Sequence, residues 1–342
     1  AYYYLGNLYY DKLQFDRAVA LWEESEKRDD SFPTVHRNLA IAYYNKKKDP
    51  ARAQEELERA YELDETDARV FLELDQLYKK LEVPFEQRIQ NYEKHPEVIE
   101  ERDDVRIKYI TLQNLLGNYK KAYESIMSHT FRPWEGAEGK ITTQYKIALL
   151  EMAKECIDVK EYGQAKDYLE KALRYPENLG EGRLEGTKDN HIYYYLGICN
   201  KALGKEQEAH GYFERASLGD IEPAGVMYYY DQPADMILYQ GLAKRELGKE
   251  KEARSRFFKL LDYGEQHLND EMRIEYFAVS LPDFLIFEDD LNRKNKAHCW
   301  YLMGLSSLGL GELQKAEGFF DKALSYDANH QNARMYRKMT LK

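Results

Sequence analysis

Three cysteines, nine prolines and no surplus of positive charge mark this 342-residue chain first by what it has little of. Cys156, Cys199 and Cys299 are odd in number and far apart in sequence, which excludes a disulfide framework and reads as buried thiols of a reducing compartment. The few prolines, with no Ser/Gly-rich tract, leave no disordered linker. No stretch approaches the roughly 18 apolar residues of a membrane span. The longest candidate, 277–287, is interrupted by Pro282 and Asp283. No basic leader with an apolar core is visible, so a cytoplasmic chain that does not touch membrane is expected. The formal charge of −11 argues against nucleic acid as partner, because affinity for a phosphate backbone rests on Lys and Arg.

What the sequence does have is a beat. A small residue is followed twelve positions later by alanine at Gly6/Ala18, Ala153/Ala165, Gly197/Ala209, Gly241/Ala253 and Gly304/Ala316, with Ile110/Ala122 in the same register. Ala40 leads to Ala53 with one residue more. Four residues beyond each alanine stands a large apolar side chain: Trp22, Leu57, Ile126, Leu169, Phe213, Phe257 and Phe320. Offsets of three, four and seven share one face of a helix. Tyr2, Leu5, Gly6 and Tyr9 therefore form one stripe, and Ala18, Leu21, Trp22 and Ser25 a second. The five residues 11–15 between them allow only a tight turn between antiparallel helices. Neither stripe can be buried within one pair, so pairs must stack on pairs.

The motifs Tyr2-Leu5-Gly6-Tyr9-Ala18-Trp22, Tyr193-Leu196-Gly197-Ala209-Phe213-Ala216 and Trp300-Met303-Gly304-Ala316-Phe320-Ala323 resemble the tetratricopeptide repeat. The resemblance implies an all-α, right-handed superhelical solenoid of antiparallel helix pairs, with about eight repeats covering residues 1–342 as one array. It is weakest over 68–130, where Arg88 stands in the alanine position and Pro84 interrupts. Residues 331–342 read as a polar capping helix. Because the first residue is not Met and falls inside a first helix, a piece of a longer polypeptide is expected.

The repeat alanines also serve as a ruler. Ala18, Ala53, Arg88 and Ala122 are spaced by 35, 35 and 34 residues, whereas Ala165, Ala209, Ala253 and Ala316 follow at 43, 44, 44 and 63. Residues 1–130 are therefore the regular part, and 131–330 carry insertions, most of them between one pair and the next. Such connections lie along one edge of a stacked array and are expected to form a rim. Its candidate interface residues are Arg132, Trp134, Glu135, Arg183, Tyr229 and Asp283. Two insertions, Phe131-Arg132-Pro133-Trp134-Glu135-Gly136 and Val279-Ser280-Leu281-Pro282-Asp283-Phe284 with Glu288-Asp289-Asp290-Leu291, resemble the C-terminal repeat region of large bacterial proteins. In those proteins an uncharacterised β-rich domain of carbohydrate-enzyme type precedes the repeats. This second resemblance implies that the rim meets such an N-terminal domain of the same polypeptide.

Catalytic chemistry finds little support. Glu288-Asp289-Asp290 and the pair Glu135/Glu138 are the loop carboxylates that an acid/base mechanism could use, but a solvated or helix-starting acidic cluster is the better account of them. The eight histidines form no His-x-x-x-His pair and the cysteines no Cys-x-x-Cys, so neither metal nor cofactor is expected. The glycines at 180, 182 and 186 match no phosphate-loop pattern.

Binding chemistry does better. The family resemblance implies that first helices line a groove for a protein or peptide. Asn7, Asn38 and Arg69 match positions of the family's carboxylate-binding type, but Tyr3 and Glu73 replace its basic residues. Tyrosine is abundant at 30 of 342. Tyr3, Tyr10, Tyr44, Tyr194, Tyr195, Tyr239 and Tyr301, with Asn7 and Asn38, are the candidate groove residues, since a ring with a polar tip suits recognition. The competing account is that these rings fill contacts between helices. The reading is thus a non-enzymatic interaction scaffold. The alternative is an accessory to a carbohydrate-active domain, with loops reaching that domain's site.

Overall fold

The computed structural model describes residues 1–132, 137–223, 232–272 and 286–341, and among these the secondary structure is helical, without strands. The chain forms two compact units. One holds Ala1–Leu112 with Pro282–Asp289; the other holds Gln113–Leu281 with Asp290–Lys342. The break falls within 68–130, where the repeat pattern is weakest.

The first unit contains α1 (Tyr2–Asp11), α2 (Phe15–Arg28), α3 (Pro33–Ala42), α4 (Pro50–Leu63), α5 (Ala68–Lys80), α6 (Phe85–Lys94) and α7 (Pro96–Glu101), and α8 (Asp103–Leu115) runs across its boundary. The second contains α9 (Tyr119–Met127), α10 (Lys140–Asp158), α11 (Tyr162–Ala172), α12 (Asn190–Ala202), α13 (Glu206–Ala216), α14 (Asp235–Glu246), α15 (Glu250–His267), α16 (Leu291–Leu310), α17 (Leu313–Tyr326) and α18 (Gln331–Met339). Proline opens α3, α4 and α7, where its missing N–H costs nothing, and the Asp49 and Asp67 side chains cap the helices that follow them. Within each unit the helices pack in sequence: α1 on α2, α3 on α4, α12 on α13, α14 on α15, α16 on α17.

The twelve-residue beat has a direct structural meaning. Gly6, Gly197, Gly241 and Gly304 each face the ring four residues beyond the repeat alanine. A Cβ added to Gly197 would stand 2.6 Å from Phe213 Cδ1, and one added to Gly304 would stand 2.6 Å from Phe320 Cδ1. The missing methyl is the space the ring occupies. The alanines themselves are fully buried at the crossings.

A second periodic feature lies seven residues after each crossing position, where the chain turns with positive φ. Gly117, Gly204, Gly248 and Gly311 take this place, with φ between 74° and 83°. Leu13, Glu82 and Lys160 hold the same conformation without being glycine. In the repeat with one residue more, the surplus is absorbed by a π-helical turn over Tyr43–Lys47, and the left-handed residue moves on to Lys48.

Residues 68–130 keep the helix pair despite losing the alanine. Arg88 donates to both carboxylate oxygens of Asp75, at 2.8 and 2.9 Å, and both side chains are buried. A bidentate ion pair thus replaces the small-residue contact at this crossing. Among the described residues no helix is long and apolar enough to cross a membrane.

Candidate interaction surfaces

On the first unit, the predicted groove residues are held by one another and by the core. The Trp22 indole donates to the Asn7 side-chain oxygen at 3.0 Å and to the Tyr3 carbonyl at 3.2 Å, and Asn38 donates to the same Asn7 oxygen at 3.3 Å. Tyr10 packs on Trp22 and Phe15, and Tyr3 packs edge-on against Tyr4 and Phe32. Beside them α1 exposes Tyr4, Leu5 and Leu8. Glu73, which stands where a basic residue was sought, is buried between two arginines. Arg37 grips both its oxygens at 2.5 and 2.6 Å, and Arg69 adds a third bond at 3.0 Å. Asn7, Asn38 and Arg69 are therefore committed to internal partners and do not converge on one vacant carboxylate site.

Further along the same unit, Tyr44 is part of a site that sequence reasoning missed. Residues 286–289 lie on it. The Asn45 amide donates to the Ile286 carbonyl at 2.7 Å, and its oxygen accepts the Glu288 N–H at 2.9 Å. Phe287 is 1% exposed and meets Tyr44 edge to face, with centroids 5.2 Å apart. One oxygen of Glu288 pairs with Lys46 and the other with Lys48 at 3.2 Å, while Asp289 pairs with Lys80. Burial works against the Glu288 carboxylate, but Lys46 and Lys48 outweigh it and hold the group below its ordinary range. Burial raises the nearby Tyr10 phenol, with Lys46 opposing and Glu288 adding. The signals in the sequence were the thirteen-residue interval after Ala40 and the run Lys46-Lys47-Lys48.

On the second unit the predicted tyrosines have a different fate. Tyr195, Tyr239 and Tyr301 are 9%, 1% and 3% exposed. Tyr239 meets Tyr194, Tyr195 and His191 on one side and Tyr336 of α18 on the other, and Tyr301 meets His330 and Tyr336. The Tyr336 hydroxyl donates to Asp235 at 2.9 Å. Burial raises the Asp235 carboxyl, although that hydrogen bond pulls the other way. Placing these three tyrosines on an open groove therefore needs correction. As folded they fill contacts between helices: Tyr195 meets Tyr194 and Tyr239, and Tyr336 of α18 meets Tyr239 and Tyr301. Tyr194 is half-buried.

Of the rim candidates, Arg132 and Arg183 are exposed. Arg183 donates to Asp189 at 2.8 Å, and Asp189 also takes Lys146 at 3.3 Å. Trp134, Glu135, Tyr229 and Asp283 lie outside the described residues. Two insertions of this unit are stitched together. Phe131 N–H donates to the Asn178 carbonyl at 2.7 Å, the Asn178 amide donates to the carbonyls of Ile126 and His129, and Glu181 accepts the Gly139 N–H.

Among the described residues Glu26, His36 and Glu56 bring together donors suited to a metal, but both His36 nitrogens already face protein oxygens. Nδ1 lies 2.8 Å from Glu56 and Nε2 lies 3.1 Å from the Asp30 carbonyl. His36 and Glu56 are hydrogen-bonded to each other as they stand. Burial pushes the thiols of Cys199 and Cys299 up to about 11, and Cys156 also rises, chiefly by burial, so none is an activated nucleophile.

The class this geometry defines is all-α, built of helix pairs packed in sequence. No family model matches the chain. Among solved structures it is similar to a tetratricopeptide repeat protein from Parabacteroides merdae, at 15% identity and a TM-score of 0.42, over 91% of this chain and 99% of that one. It is also similar to the type IV pilus biogenesis factor PilW, at 16% identity and a TM-score of 0.37, over 67% of this chain and 92% of that one. A third similarity is to the yeast Sti1 TPR2AB domain in complex with an Hsp90 peptide, at 13% identity and a TM-score of 0.32, over 100% and 97% of the two chains. These likenesses concern helical architecture, and the reading of the surfaces rests on this chain's own residues.

Proposed function

We propose that this chain is a protein-interaction scaffold without catalytic activity of its own, which holds a peptide segment or an adjoining domain on the first-helix side of its repeats and on its insertion loops. The observation that carries this reading is the seating of residues 286–289 on the first unit. A buried asparagine bonds the backbone of a segment at alternate residues, an aromatic side chain is sunk beside a tyrosine, and lysines take the carboxylates. Backbone capture with one side-chain anchor is how a helical scaffold can hold a chain that supplies no fold of its own. Tyr3, Tyr10 and Tyr44 border this face, half-buried and with rings in reach of a partner.

The reading is tested by selecting a displayed random-peptide library on the intact chain, then on chains carrying Tyr3→Ala, Asn38→Ala or Tyr44→Ala. Peptides should be enriched, and at least one substitution should abolish their capture. No enrichment, or capture indifferent to all three changes, rejects it.

A further inference from the structure

The first unit carries more detail than a general capacity to bind peptides. We propose that Tyr44, Asn45, Lys46, Lys48 and Lys80 form a recognition site for a peptide in which one aromatic residue is followed by two acidic ones, and that residues 286–289 occupy this site in cis as its internal competitor. The inference rests on the scaffold reading and adds the class of ligand and the means by which its access is limited.

Each element of the site selects a different property. Asn45 bonds the carbonyl of residue 286 and the N–H of residue 288, two backbone groups on either side of the bend at residues 286 and 287. This contact reads conformation and leaves the side chains free to specify. Phe287 is buried and meets Tyr44 edge to face. Residue 288 projects toward the turn, where Lys46 and Lys48 take one carboxylate oxygen each. Residue 289 is nearly buried and meets Lys80 at the end of α5.

The lysines owe their positions to a local departure from the repeat. The π-helical turn over Tyr43–Lys47 adds one residue between the helices of this pair, and Lys48 leaves it in the left-handed conformation. This is the only run of three lysines in a chain of net charge −11, and Lys46 and Lys48 converge on one carboxylate. The third, Lys47, turns away to Asp16.

The cis segment does not fill the site. Past Glu288 a cleft of about 580 Å³ opens, lined by Leu13, Phe15, Arg17, Lys46 and Lys48 among others. A longer peptide in trans has further apolar and basic surface to use there. A tethered segment acts at an effective concentration on the order of 1 mM, so a free peptide with a Kd of about 100 μM would be weakened roughly tenfold while the tether is seated.

The probe is a labelled synthetic peptide, Asp-Phe-Leu-Ile-Phe-Glu-Asp, which repeats residues 283–289, and the readout is fluorescence anisotropy with the intact chain. Phe287→Ala/Glu288→Ala should release the site and tighten peptide binding about tenfold over the unaltered chain. Adding Lys46→Glu/Lys48→Glu to that variant should abolish binding, and a peptide with both acidic residues replaced by lysine should not bind. Absence of saturable binding to a released chain that still melts cooperatively overturns the inference. If the released chain does not melt cooperatively, the unaltered chain decides: saturating peptide should speed chymotrypsin cleavage after Phe287, and unchanged cleavage overturns the inference. A chain that enriches other library peptides but ignores this one loses the ligand class and keeps the scaffold reading. A chain that enriches nothing loses both.

Discussion

Replacing Gly197 by alanine sets two effects of similar size against each other. A helical Gly→Ala change is ordinarily worth about 1 kcal/mol, because the glycine backbone loses more freedom on folding. Here the new Cβ would stand 2.6 Å from Phe213 Cδ1 and closer still to Cε1, where ordinary contact begins near 3.4 Å. The ring cannot retreat. It is 3% exposed and packed among Ala209, Ala216 and Ala243, with Tyr193, Tyr194, Ile198 and Leu247 around it. Overpacking of this kind costs about 1–3 kcal/mol, so the expected net is a loss of about 0–2 kcal/mol once the propensity gain of about 1 kcal/mol is subtracted. Stacked repeats need not unfold in one step, so the suitable assay is hydrogen exchange across α12 and α13, which reads local opening. Phe213→Leu should cost about 1 kcal/mol alone but should make room for the methyl. The double mutant should therefore show a coupling of at least 1 kcal/mol. Increased protection in Gly197→Ala, or strict additivity in the double mutant, would refute the crossing geometry.

Other consequences can be checked in the same preparation. Arg88→Met or Asp75→Leu alone should cost about 3–5 kcal/mol in urea unfolding because each strands a buried charge, whereas the two together should cost far less; a double variant as damaged as the sum of the singles would deny that the pair replaces the small-residue crossing. Lys160→Gly should raise stability by about 1 kcal/mol and Gly204→Ala should lower it by a similar amount, since both residues turn with positive φ and nothing crowds a Cβ at Gly204; equal effects of one sign would show that the turn is not strained. Two histidines should tilt the pH dependence in opposite directions. Burial opposes the His36 cation, but the Glu56 hydrogen bond prevails and raises its pKa, so its stabilisation is full below about pH 6.5 and fades as pH rises through the folded value. Burial, with Lys146 adding, holds His191 down at about 3, so its contribution is present above about pH 6.5 and falls by at most about 1.4 kcal/mol per unit on acidification. Urea midpoints of His36→Gln and His191→Gln against pH test this, and slopes of the same sign would contradict it.

Much of the helical framework was legible because its determinants are local. A glycine, a turn and an alanine twelve residues on are neighbours in sequence and remain neighbours in space. The surplus residue after Ala40 is visible in the spacing, and the π-helical turn is where the structure absorbs it. The candidate site was legible only in part. Tyr44 was named, and the adjoining Asn45, Lys46 and Lys48 were passed over, because a basic turn reads as solvated until the acidic segment that meets it is placed. Arg88 reads as a break in the repeat, since its compensation lies in the pairing with Asp75, which neither residue announces alone.

The sequence by itself therefore determined the helix pairs and their crossings, since each follows from side-chain size and backbone freedom over a dozen residues. Only the tertiary structure decided which tyrosines are buried. Tyr239 and Tyr301 share the repeat logic of Tyr3 and Tyr10, yet Tyr336 of α18 closes over the former pair alone. Only the tertiary structure joined Asn45 to residues 286–288, more than two hundred positions away. Pairings of that range depend on which surfaces meet after the chain has closed long loops, and no local periodicity carries that information.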